Sequence, residues 1–263
     1  MLCDLIFDVG ACEGNDTAYY LSKGFRVIAV EANPTLISQL AARFAREVES
    51  GSLTIVGACV ADTAGQTNFW VCDDVNEWSS CHRDIASREY SKHHSVTVPG
   101  VCFRTLIEAH GVPFYCKIDI EGNDRLCLQD LTTATVPAYL SFEMPHTDAN
   151  VDLDILRSLG YTRFKAVSQV SRTQPLKYLS ETAAALPVRG RDLLLRLDRR
   201  LRGKYRNGTW VFPFGSSGPF GEDTPGPWRS VTDVLNTWRH LKDVDRRYDL
   251  HGLGDWYDIH AAL

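Results

Sequence analysis

The stretch from Leu5 to Pro34, LIFDVGACEGNDTAYYLSKGFRVIAVEANP, restricts the fold more than any other part of the chain. Leu5, Ile6 and Phe7 form an apolar run without alternation that ends at Asp8-Val9-Gly10, the pattern of a parallel strand buried on both faces. Asn15, Asp16 and Thr17 then offer N-cap chemistry, and Lys23-Gly24 stops the helix. A second apolar strand, Arg26 to Val30, closes on Glu31, and Asn33-Pro34 opens another helix. This is one βαβ unit, with Gly10 and Gly14 in its first turn and a carboxylate roughly 20 residues beyond the first glycine. Glycines in such a turn let backbone approach a ligand, and an acid at the end of the second strand can accept ribose hydroxyls. The expected ligand is an adenosine-type cofactor across the strand ends.

Spacing narrows the cofactor. The dinucleotide fingerprint G-x-G-x-x-G would place glycine where this chain has Cys12 and Asn15. That weakens a pyrophosphate ligand and with it an NAD-dependent oxidoreductase, which stays as an alternative beside a non-catalytic binding protein that keeps the fold. D-V-G-A-x-x-G followed by V-E-A-N-P resembles the first two motifs of class I S-adenosylmethionine-dependent methyltransferases, whose cofactor carries no phosphate.

Further along, Leu36, Ile37, Leu40, Phe44 and Val48 form one stripe and predict a helix over Thr35 to Glu49. Leu53 to Val60 predicts a third strand ending at Ala61-Asp62, and Thr67 to Cys72 another. The polar run Asp73 to His94 holds Trp78, Ser79 and Ser80, and its length near the strand ends points to a function. His82, His93 and His94 lack a second ligand group at zinc-like spacing and read as surface histidines. The strand Phe114 to Gly122 is apolar except for Lys117, Asp119 and Glu121, which alternate and so share one side. Charges there are costly unless paired or functional, and a surface ion pair of Lys117 with Glu121 is the plain alternative. Pro137 to Met144 predicts a fifth strand, with Glu143 near its end and Pro145-His146 directly after.

DVGACEGNDT, VEANP and KIDIEGND, in this order, resemble the FkbM-type methyltransferase family over roughly Leu5 to Pro145. The resemblance implies a Rossmann-like α/β fold of about seven strands, mostly parallel with one antiparallel strand and helices on both faces. It also implies transfer of a methyl group to a hydroxyl, often on a sugar, and the main expectation is an O-methyltransferase for a carbohydrate or a glycosylated or polyketide-like small molecule. Its cofactor shell would be Gly10 and Gly14 in the turn, Asp8 and Glu13 near the methionine end, Glu31 on the ribose, and Ala61 and Asp62 near the adenine. A hydroxyl acceptor needs its proton removed, for which Asp119, Glu121, Glu143 and His146 are candidates. Asp119 and Glu143 are alternatively oxygen ligands for a divalent cation. Amine methyltransferases carry a [DN]-P-P-[YF] turn where this chain has Ile120-Glu121-Gly122-Asn123, which speaks against a planar amine.

The 263 residues divide into an expected methyltransferase core (1–168), a basic helical insertion (169–207) and a last core strand with a C-terminal lid or cover (208–263). Trp210, Phe212 and Phe214 alternate, so Gly208 to Phe214 is the candidate antiparallel strand. Eight arginines and lysines between Arg189 and Arg206 form a basic island, read as a solvated face or as a contact with a phosphate-bearing acceptor or a membrane surface. Polar candidates in the lid include Asp255, Asp258 and His260, and the same pieces would serve as an edge cover or a homodimer surface. A net charge of −5 argues against generic nucleic-acid binding. No stretch approaches a transmembrane span and no basic leader precedes the first strand, so a cytoplasmic protein is expected. The eight cysteines are scattered without a C-x-x-C pair and read as reduced thiols, with Cys12 filling space in the cofactor turn.

Overall fold

The computed structural model describes residues 4–145, 147–169, 190, 206–213, 216–248 and 257–263. His146, Asp255 and the basic island from Arg189 to Lys204 lie outside these residues. The chain forms two compact units, Met1–Leu140 and Ser141–Leu263.

In the first unit β1 (Leu5–Val9) lies parallel between β2 (Arg26–Glu31) and β7 (Tyr115–Ile118), and β2 in turn pairs in parallel with β3 (Leu53–Gly57). All five residues of β1 are buried, as its unbroken apolar run predicts. The crossover helices are α1 (Asn15–Ser22) and α2 (Pro34–Arg43). Asn33 caps α2 by accepting the Thr35 N–H at 3.0 Å, and Pro34 occupies the first turn, where a missing N–H costs nothing. Phe44 leaves helical backbone at φ −113°, ψ 31°, so the helix expected to run to Glu49 divides into α2 and α3 (Ala45–Glu49). Tyr20 of α1 and Tyr115 of β7 meet edge to face at 5.7 Å, both fully buried, and hold the helix against the sheet.

The strand expected over Leu53 to Val60 breaks at Ala58, whose N–H bonds the Glu31 carbonyl at 3.0 Å. Beyond the break β4 (Cys59–Val60) pairs in parallel with β6 (His93–Val101). Along the other side of β6 runs β5 (Gly65–Cys72), antiparallel from Gly65 opposite Gly100 to Cys72 opposite His93. This gives a second sheet in the order β4-β6-β5. The segment between β5 and β6 contains the short helix α4 (Arg83–Ala86) and two 3-10 turns, Asn76–Trp78 and Arg88–Tyr90. The unit is completed by α5 (Phe103–His110) and α6 (Asp124–Asp130).

β8 (Tyr139–Glu143) carries the chain into the second unit. There α7 (Ala149–Ser158), capped by Asp148 through the Asn150 N–H at 2.9 Å, leads to β9 (Arg163–Ser168). Among the described residues that follow are β10 (Arg206–Asn207), β11 (Trp210–Val211), a 3-10 turn at Gly221–Asp223, α8 (Val231–Tyr248) and β12 (Tyr257–Ala262). The main sheet has seven strands, mostly parallel, in the order β3-β2-β1-β7-β8-β12-β9. Its antiparallel strand is β12, paired with β9 from Tyr257 opposite Ser168 to Ala262 opposite Arg163. The expectation for Gly208 to Phe214 is therefore corrected. Gly208-Thr209 makes the tight turn of a hairpin of β10 and β11, and Pro213 has no N–H to extend the ladder.

Candidate active site

The end of β1 is built on a buried charge. Lys117, the third residue of β7, is 4% exposed and aims its Nζ back under the first turn. It donates to the Gly10 carbonyl at 3.0 Å and lies 3.4 Å from Asp8, 3.7 Å from Asp119 and 4.0 Å from Asp16. Asp8, fully buried, also accepts from the Thr17 hydroxyl at 2.5 Å. Surrounding carboxylates and a carbonyl compensate the desolvated ammonium. Lys117 therefore does not form a surface pair with Glu121.

Gly10 has φ +84°, and a Cβ there would stand 1.7 Å from the Asp119 carbonyl oxygen. At Gly14, φ +78°, a Cβ would strike Leu40 and Phe44 at 2.6 Å. Both glycines thus serve close packing within the chain and not only close approach to a ligand. The N–H groups of the turn are also spent internally: Gly10 and Ala11 on the Val30 carbonyl at 2.9 and 3.0 Å, Gly14 on Ala11 at 2.7 Å, and Cys12 on Glu31 Oε2 at 2.8 Å. A pyrophosphate cradle needs several such groups free. This turn supplies none from Gly10 to Cys12, nor at Gly14.

Glu31, the last residue of β2, is 7% exposed. Its Oε1 accepts the N–H groups of Ala32 and Asn33 at 2.9 and 2.8 Å, and Oε2 accepts that of Cys12. Burial pushes its carboxyl above the ordinary range, and these three bonds pull the other way. A carboxylate has about four lone-pair sites, so Oε2 retains one that can receive a sugar hydroxyl. The acid lines a pocket whose walls are apolar on the β2 and β4 side, with Val30, Ala32, Leu36, Ala58, Val60 and Phe69. A flat aromatic ring and a ribose fit such a wall, and among the described residues no cationic side chain lines it. The residues present fit S-adenosylmethionine. Cys12 also lines the pocket, and burial next to Glu31 pushes its thiol up to about 12, so it stays protonated.

The opposite rim is the turn after β7. The strand stops at Ile118, so the alternation expected for Lys117, Asp119 and Glu121 does not continue. Glu121 instead adopts a left-handed backbone, φ 50°, followed by Gly122 at φ 108°. A non-glycine residue there costs about 1 kcal/mol or more. The turn is held by the Ser80 hydroxyl, which donates to the Glu121 carbonyl at 2.6 Å, and by Asn123, which donates to the Val60 carbonyl at 3.0 Å and meets His82 Nε2 at 2.8 Å. Arg88 reaches the Glu121 carboxyl at 3.0 Å. Burial and the nearby Asp119 push Glu121 up to about 8, with Arg88 opposing them. Burial and Asp119 likewise push Asp124 up to about 7.

Of the residues named from sequence, Gly10, Glu31, Asp119 and Glu121 line this one pocket. Asp8 lies buried at the Lys117 ammonium, Gly14 packs on α2, and Glu13 is exposed. Ala61 and Asp62 follow directly on the wall residues Ala58 to Val60. Glu143 ends β8, partly buried, in the second unit, and His146 lies outside the described residues. Sequence reading missed Asn123, Arg88, Asn76 and Glu77, the last two of which stand in the wall. It also missed a disulfide between Cys59 and Cys81, both at the pocket, so the expectation of reduced thiols is corrected for this pair. Their 22-residue separation carries no motif. Cys12, Cys72, Cys102, Cys116 and Cys127 are free.

The sheet order and a pocket between the β1 turn, whose N–H groups are used internally, and the β2 acid define a class I methyltransferase-like cofactor domain. The model of the methyltransferase FkbM domain matches residues 8–162, and the chain belongs to that family. The family implies S-adenosylmethionine as cosubstrate. Over 52 residues the chain is 44% identical to a probable ribosomal RNA small subunit methyltransferase A of Methanospirillum hungatei, a match covering 20% of each protein. Among solved structures, precorrin-6y C5,15-methyltransferase of Geobacter metallireducens superposes with TM-score 0.40 at 9% identity, covering 98% of this chain and 80% of that one. A TehB-like S-adenosylmethionine-dependent methyltransferase of Corynebacterium glutamicum gives 0.35 at 10% identity, covering 62% and 68%.

Proposed function

We propose that the protein is an O-methyltransferase acting on a hydroxyl of a carbohydrate or a glycosylated small molecule. One observation carries this reading: the pocket that presents Glu31 on one wall presents Asp119 and Glu121 on the other. When bound, S-adenosylmethionine supplies an electrophilic methyl group. Glu31 would hold the ribose through its remaining Oε2 lone pair, and Ala58 to Val60 would face the adenine. Asp8 and the Lys117 ammonium fix the turn from beneath. The in-line attack of a hydroxyl requires loss of its proton as the new bond forms. Glu121 would receive that proton, since a carboxyl brought near neutrality can both accept and release one. Asp119, beside it, raises its affinity for the proton.

Titration calorimetry with S-adenosylmethionine tests the cofactor half. Glu31→Gln keeps part of the bonding to the turn, whereas Glu31→Ala strips three N–H groups of their acceptor. Loss of roughly 2 kcal/mol, or about 30-fold, in affinity is expected for Glu31→Gln, with a smaller drop in melting temperature than for Glu31→Ala. Wild-type protein that binds NAD and not S-adenosylmethionine would overturn the reading. A panel of sugar hydroxyls, with and without magnesium, then tests the acceptor.

A further inference from the structure

We infer that the Cys59–Cys81 pair is a redox latch that ties the segment Asn76 to Tyr90 to the wall of the cofactor pocket, so that reduction of the pair loosens cofactor binding. The inference rests on the pocket being the cofactor site. Cys59 belongs to β4, on the wall that continues from Ala58 to Val60, whereas Cys81 sits in the segment between β5 and β6. The bond therefore joins two parts of one pocket that lie 22 residues apart in the chain.

Backbone pairing holds that segment at Ser80, which exchanges two N–H···O bonds with Trp70 at 2.7 and 2.9 Å, and at its base, where the Asp73 N–H meets the Lys92 carbonyl at 2.8 Å. Between Asp73 and Lys92 only Ser80 and Ala86 are buried, so apolar packing contributes little to its position. Its side-chain anchors include the Ser80 hydroxyl on the Glu121 carbonyl, the Ser79 hydroxyl accepting the Cys72 N–H, His82 on Asn123, Arg88 on the Glu121 carboxyl and Arg83 over the Trp70 ring. Each of these is exchangeable with water at modest cost. Asn76, Glu77 and Ser79 contribute to the pocket wall through the same segment, so freedom gained at Cys81 reaches the ligand directly. Cys12 does not enter the exchange, because its thiol stays protonated.

The chemistry is a two-electron exchange with a dithiol reductant. One thiolate of the reductant attacks the Cys81 sulfur, which is the partly exposed end, and the Cys59 thiolate leaves and takes a proton. The second thiol of the reductant then displaces Cys81, giving two protein thiols and one oxidised reductant. In a reducing compartment such a pair reports the local redox state, and elsewhere it stays closed.

The test uses the full chain, oxidised or treated with dithiothreitol, with alkylation and mass spectrometry to count free thiols. S-adenosylhomocysteine is titrated into both forms and into Cys81→Ser, and amide hydrogen exchange is followed over Asn76 to Tyr90. Expected is an affinity at least about fivefold weaker in the reduced protein, with Cys81→Ser matching it whatever the redox state, and faster exchange in the segment. Equal affinity and equal exchange in the two forms would overturn the latch, as would failure of the pair to close under mild oxidant. Should neither form bind the probe while exchange still rises on reduction, the tie between Cys81 and the wall stands, and the cofactor assignment falls together with the effect on its binding.

Discussion

At Gly10 two requirements meet, a left-handed backbone and the absence of any atom where the Asp119 carbonyl stands. Gly10→Ala must push that carbonyl away as well as strain the turn. A loss of about 3 kcal/mol or more is expected, read as a lower urea midpoint with unchanged slope. At Glu121 the expected signature is kinetic. A base must be deprotonated to act, so the rate on a hydroxyl acceptor should rise with pH through about 8, and Glu121→Gln should abolish the rise. His260 makes the opposite kind of demand. Burial and the Lys165 ammonium, its partner across the strand pair, depress its pKa to about 3, and Asp258 lies two residues away on the same strand. The unfolded chain takes up a proton near pH 6.5 and the folded one does not, so stability falls as pH drops from about 6.5 toward 3. Roughly 2 kcal/mol should be lost at this site by pH 5, a loss absent in His260→Leu when urea midpoints at pH 7 and 5 are compared.

At the scale of elements, α8 is held by a stripe whose members Val234 and Leu241 are 2% and 7% exposed, and by Trp238, whose indole N–H donates to the Pro145 carbonyl at 2.8 Å. Leu241→Ala should cost about 2–3 kcal/mol and Trp238→Phe about 1 kcal/mol in chemical denaturation. That stripe is legible in the sequence because its 3.6-residue period is local. So are β1 and β2, whose unbroken apolar runs leave no other reading, and so is Glu31, because the end of a parallel strand fixes where an acid must stand. β12 was hidden for another reason: its alternation of Tyr257, Ile259 and Ala261 with Asp258 and His260 reads as a half-exposed edge strand, whereas both polar residues are buried. The division of Leu53 to Val60 into β3 and β4 was equally hidden. It depends on which partner each half finds, and β6 lies more than thirty residues further on. Arg88 and Asn123 became visible only when the segment after β5 was placed against the turn after β7.

The whole molecule carries a net charge of −5, and its match to a ribosomal RNA methyltransferase is confined to 52 residues. A net negative charge disfavours the approach of a polyanion. A short RNA duplex is therefore expected to show no mobility shift at about 10 μM protein in roughly 0.15 M salt, and a salt-dependent shift there would favour a nucleic-acid acceptor over a small hydroxyl compound. The contact of Gly10 with Asp119 also bears on how this domain can be rebuilt. Lys117 and Gly10 are 107 positions apart, yet the β1 turn and the turn after β7 interlock through a missing methyl group and one ammonium. For anyone recombining relatives of this chain, the two turns are a single cassette. A chimera that takes one from each parent inherits a clash or a hole, whereas one that moves both together leaves the spacing between Glu31 and Glu121 intact.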